Sequence, residues 1–154
     1  MTLALGGGTL AAFGPGLQDA KLTAAGREVF AGAARGLLDG ILPAQPAARS
    51  AALKGLLARV DGLVASLPPH AQGELSQLLA LLASAPGRRA FAGLHSPWAD
   101  ADAGEIQDGL QAMRVSSLSL RQQAYQALHD IVGAAYFSDP ATWPQLGYPG
   151  PLEI

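Results

Sequence analysis

Between Ala47 and Leu67 the chain sets Leu53, Leu56, Leu57, Val60, Leu63, Val64 and Leu67 three and four residues apart. A helix that turns once in about 3.6 residues brings the whole set onto one face. Lys54, Arg59 and Asp61 fall on the other faces. An apolar stripe of that length must be covered by other elements, and the flanking sequence offers helices. From Thr23 to Leu42 the residues Val29, Phe30, Ala33, Leu37 and Ile41 keep the same period, with Thr23 as N-cap and Pro43 and Pro46 as stops. Pro68-Pro69 opens a third helix that buries Ala71, Leu75, Leu78, Leu79 and Leu82 and closes at Ser84-Ala85-Pro86-Gly87. Asp102 and Glu105 have capping-box spacing. They open a segment running to Phe137, broken near Val115 to Ser119, with Ile106, Leu110 and Met113 and then Leu120, Ala124, Leu128, Ile131 and Ala135 inward. The expected fold is all-α: a bundle of four to six helices with an extended Pro/Gly/aromatic C-terminal arm.

The expected organisation is a remnant export signal or disordered leader over residues 1–20, a helical bundle over 21–137, and the arm over 138–154. Leu3 to Phe13 is an uncharged, Gly-rich apolar run, too short to span a bilayer, followed by the breaker Gly14-Pro15-Gly16. Its triple glycine is not a phosphate loop, since no Gly-Lys-Ser/Thr follows. Gly32, Gly36 and Gly40 repeat every fourth residue and so share one helix face. A glycine costs about 1 kcal/mol against alanine inside a helix. The row therefore points to a backbone approached closely, inside the bundle or by a partner.

Little in the chain suggests chemistry. The absence of cysteine removes disulfides, thiolate metal sites and cysteine nucleophiles, and the absence of asparagine removes N-glycosylation. Ten cations are scattered without a basic stripe at a net charge of −2, so nucleic acid is not an expected partner. His70, His95 and His129 lie far apart, and no second ligand type stands at metal-binding spacing. His129 and Asp130, being adjacent, are expected on different helix faces. Neither a Gly-x-Ser-x-Gly elbow nor a dinucleotide fingerprint is present. Arg88-Arg89 reads as a solvated pair beside a buried Phe91. No catalytic, cofactor-binding or metal-binding residue is expected, and the chain on its own is not expected to be an enzyme.

The terminus is different. Trp143 to Ile154 holds three prolines, two glycines and two large aromatics, a composition that reads as neither helix nor central strand. A free tail is normally polar and frayed, so this one is expected to dock, either on its own bundle as a lid or on a partner. Charged residues make up only 14% of the chain, against about 25% in an average domain, which leaves apolar surface for a partner to cover. Tyr125, His129, Val132 and Tyr136 form a mixed aromatic and polar stripe of the kind found at interfaces.

Leu120-Arg121-Gln122-Gln123-Ala124-Tyr125-Gln126-Ala127-Leu128-His129-Asp130, then Ala135 to Pro140, Trp143 and Leu146-Gly147-Tyr148-Pro149-Gly150-Pro151 resemble the signature of the gluconate 2-dehydrogenase subunit 3 family. That family includes the small (gamma) subunits of bacterial FAD-dependent sugar and alcohol dehydrogenases. The apolar leader resembles their twin-arginine signals, although the arginine pair is missing. The family's Gly-Gly-Asn insert between the proline and the tryptophan is missing too, and before Leu120 the match is only of general helical character. The resemblance implies a periplasmic, non-catalytic subunit without a cofactor of its own. It would bind a large FAD-containing subunit of the glucose–methanol–choline type, help it fold and carry it across the membrane, and a cytochrome c subunit would accept the electrons. Partner contacts would then fall on Tyr125, His129, Tyr136, Phe137, Trp143, Leu146, Tyr148, Pro149 and Pro151. Two other readings stand beside it: a stand-alone helical periplasmic chaperone or adaptor, and a small ligand-binding protein with a pocket lined by Phe30, Phe91, Trp98 and leucines.

Overall fold

A computed structural model describes residues 14–147, 149 and 151 of the chain. The Gly16 N–H donates to Ser76 O at 3.2 Å and the Leu17 N–H to Ser76 Oγ at 3.1 Å, and Leu17 is buried in the core. The described part of the expected leader, residues 14–20, therefore belongs to the folded body. Its apolar run from Leu3 to Phe13 lies outside the described residues. Strands β1 (Leu17–Gln18) and β2 (Lys21–Leu22) make a two-residue antiparallel ribbon. Its turn holds Asp19 and Ala20 at positive φ.

Helix α1 (Ala24–Leu37) is capped as the sequence suggests, with the Gly26 N–H donating to Thr23 Oγ1 at 3.3 Å. It stops at Leu37 rather than Leu42. Gly40 takes φ +80°, which a glycine adopts without steric cost, and this swings Ile41 outward to 38% exposure. Helices α2 (Pro46–Ala65) and α3 (Pro69–Ala83) each begin with a proline in the first turn, where a missing N–H leaves nothing unpaired. A single turn, α4 (Ala85–Gly87), widens into a π-turn over Arg88–Ala92 that Gly93 closes at φ +65°. The capping box at α5 (Ala103–Arg114) forms in both directions, Glu105 N–H to Asp102 Oδ1 at 2.8 Å and Asp102 N–H to Glu105 Oε2 at 3.3 Å. The chain breaks after α5 and resumes as α6 (Ser119–Phe137). The architecture is all-α, as the periodicity implies.

Helix α1 runs through the centre, packed on α2, α3, α5 and α6, with Val29, Phe30, Ala33 and Ala34 fully buried. Two glycines of its row permit this. A Cβ on Gly32 would lie 2.9 Å from Trp98, and one on Gly36 would lie 2.4 Å from Ile106 Cγ2. The third, Gly40, stands beyond the helix with open space around it. Arg35 reaches out of α1 to donate to Ala101 O at 2.9 Å and to Trp98 O, fixing the loop before α5. Among the described residues no helix is long and apolar enough to cross a membrane.

Candidate docking site

The aromatic end of α6 leads directly into the terminal segment. Tyr136 is buried and Phe137 stands edge-on to it, with ring centroids 5.0 Å apart at 88°. Pro140–Leu146 then winds into a 3-10 helix, which corrects the expectation of a non-helical, extended arm from residue 138. The physical reason lies in local capping. Asp139 accepts the Ala141 N–H at 3.0 Å, and Pro140 occupies the first turn, where no N–H is needed. Thr142 turns inward and its hydroxyl donates to Asp139 O at 2.7 Å. Pro144 forfeits one rung of the ladder, and Gly147 ends the helix at φ +69°.

Side-chain interactions pin this elbow to the bundle. Trp143 Nε1–H donates to Phe137 O at 2.9 Å, and Tyr136 O–H donates to Gln145 Oε1 at 2.9 Å. From α2, Arg59 Nε–H donates to Ala135 O at 2.6 Å, while its Nη1 lies 3.6 Å from Asp139 Oδ2. Arg59 thereby completes an end carbonyl of α6 and holds the cap of the next helix. Its periodicity gives only a surface position on α2, so no sequence signal marks that role. Asp139-Pro140, by contrast, is a readable helix start.

The inner side of the elbow is thus settled on its own domain, and its outer side is open. Pro140, Trp143, Pro144, Gly147 and Pro149 line a shallow hollow of about 250 Å³. Leu146 beside it is 58% exposed, and Pro149 and Pro151 are exposed. Tyr148 lies outside the described residues. Tyr125 and His129 do not belong to this cluster. They stack on one another with centroids 5.6 Å apart, and His129 is about 10 Å along α6 from Tyr136. The structure therefore gathers Tyr136, Phe137, Trp143, Leu146 and Pro149 at one end of the molecule and leaves Tyr125 and His129 as a separate pair.

Several readings of polar residues change. His129 Nδ1 lies 3.2 Å from Asp130 Oδ1, so the adjacent side chains do meet. His70 Nε2 lies 3.3 Å from Glu74 Oε1, a spacing of four that the sequence reading passed over. Among the described residues, though, no group of three or more His, Asp or Glu side chains could hold a metal ion. Arg88 is not solvated: the π-turn rotates it inward, where Nη2 donates to His95 O at 3.5 Å and Nε has no hydrogen-bond partner among the described residues. Phe91 next to it is only partly buried. Phe30 and Trp98, expected to line a ligand pocket, are solid core, and Trp98 Nε1–H donates to Leu82 O at 2.8 Å.

Fold and site together define a small helical-bundle protein that carries a docked C-terminal elbow with an exposed apolar outer face. No protein-family model, curated protein or solved structure matches the chain.

Proposed function

We propose that this chain is a non-catalytic small subunit that binds, helps fold and co-exports a large FAD-containing dehydrogenase subunit of the glucose–methanol–choline type. The contact surface is the outer face of the elbow, Trp143, Leu146 and Pro149, continued by Tyr148 and Pro151. One observation carries the reading. A segment rich in proline and aromatics is held by its inner side, through Trp143 Nε1–H to Phe137 O, while Pro140, Pro144, Leu146 and Pro149 are exposed. An anchor fixed before binding loses less conformational entropy when the partner arrives, and tryptophan and tyrosine are the residues that most often dominate such contacts. The resemblance of residues 120–151 to small subunits of periplasmic flavoprotein dehydrogenases supplies the partner's identity. FAD belongs to that partner.

Co-expression with the flavoprotein of the same genome tests the proposal. The intact chain raises the yield of soluble, FAD-loaded large subunit and co-purifies with it, and Trp143→Ala with Tyr148→Ala removes both effects. Unchanged yield and co-purification with the double variant would show that the elbow is not the contact.

A further inference from the structure

A second surface lies on the flank of α2 away from the elbow. Arg59, which holds the elbow, stands about 200° round the helix from Leu57. Pro46, Ser50, Leu53 and Leu57 follow one another at intervals of four, three and four and make a single seam along α2. With Arg49, Lys54 and Arg27 of α1 they line an open groove of about 490 Å³. Leu53 and Leu57 are half-buried at its floor, and no carboxylate lines it, although the chain as a whole carries a net charge of −2. Arg27 shares its charge with Asp61 at 3.1 Å, and Arg49 donates through Nε to Pro43 O at 3.0 Å. Lys54 has neither ion pair nor hydrogen bond among the described residues. The first turn of α2 has no side-chain cap and no acidic residue, so its dipole adds positive potential at the Pro46 end.

We infer that this groove docks an acidic amphipathic helix of a partner protein. The intervals of the seam are those at which a second helix interdigitates, and cations flanking an apolar seam select glutamates or aspartates on the helix that fills it. Residues 1–13 carry no charged side chain and residues 152–154 only Glu153, so neither stretch has the sequence of an acidic amphipathic helix. A lipid surface fits less well, because the cations border a narrow concave seam rather than the rim of a broad apolar face. This docking does not depend on the elbow.

The test uses the whole chain and two synthetic helical peptides of 18 residues, with leucines at intervals of four, three and four and either glutamates or lysines flanking them. Fluorescence anisotropy is expected to show micromolar binding of the glutamate peptide, weakened by salt, with the lysine peptide bound at least about tenfold more weakly. Arg49→Glu with Lys54→Glu, both exposed and checked for folding by circular dichroism, reverses that preference, whereas Trp143→Ala leaves it unchanged. Equal affinity for both peptides, or indifference to the charge reversal, overturns the inference. So does binding only to phosphatidylglycerol vesicles, or sedimentation showing that two copies of the chain already cover the groove.

Discussion

The two tryptophans use the same device to opposite ends. Each donates its indole N–H to a backbone carbonyl near a helix end, Trp98 to Leu82 at 2.8 Å and Trp143 to Phe137 at 2.9 Å. Trp98 is only 1% exposed, roofed by Gly32 of α1 and tied down by Arg35. Trp143 is pinned by that bond yet only partly buried. The first is consumed in building the domain. The second is oriented by the domain but less deeply buried in it, and partial burial is what a docking anchor requires and a core residue does not.

The largest expected effect breaks the Trp98 half of the comparison. Trp98→Ala empties a fully buried site and leaves the Leu82 carbonyl without the indole N–H that it accepts. A loss of about 3–5 kcal/mol in urea unfolding is expected. Trp143→Ala, which opens no enclosed cavity, is expected to cost well under half as much. Equal losses would mean that both tryptophans are structural and that the elbow is part of the core.

Glycine substitutions sharpen the packing side. Gly36→Ala puts a methyl group 2.4 Å from Ile106 Cγ2, and overpacking of this kind costs about 1–3 kcal/mol. The same change at Gly62, inside α2 with nothing within 4 Å, meets no neighbour. It is expected to stabilise by up to about 1 kcal/mol through helix propensity. Opposite signs in thermal unfolding confirm that Gly36 serves the close approach of α1 to α5.

Arg59→Ala separates the elbow from the bundle. Its bonds to Ala135 O and Asp139 are partly exposed, so the stability loss is modest, about 1 kcal/mol. The local effect is larger than the global one. Amide exchange at Ala141, Thr142 and Gly147 is expected to accelerate, while exchange in α1 and α3 stays unchanged. Uniform acceleration would show that Arg59 supports the whole domain instead.

Much of this is legible in the sequence. The apolar period marked every long helix, and Thr23, Pro69 and the Asp102–Glu105 box marked their starts, because those signals are local. What escaped depended on distance in sequence. Nothing near Arg59 indicates that it will meet Ala135, and nothing around Arg88 indicates that a π-turn will rotate it inward. The elbow was misjudged for another reason. Its prolines forbid a regular α-helix, but a capped 3-10 turn asks less of the N–H groups they lack, and Asp139 with Thr142 offsets the missing rung. The aromatic stripe on α6 also divides where the sequence is continuous, because the elbow covers Tyr136 but does not extend to Tyr125.

The smallest expected change in stability tests the outer face most cleanly. Leu146 is 58% exposed at the end of the 3-10 helix, next in sequence to Gly147 of the hollow. Leu146→Ser removes apolar surface already in water, so folding stability is expected to stay within about 0.5 kcal/mol. If the elbow is the docking surface, the same change lowers recovery of the flavoprotein in co-expression, because the leucine adds apolar area at the rim of the tryptophan anchor. A variant that folds as well as the parent yet recovers less partner locates recognition on the outer face. A variant equal to the parent in both measurements confines any partner contact to Trp143 and the prolines, and then only the inner half of the comparison between the two tryptophans stands.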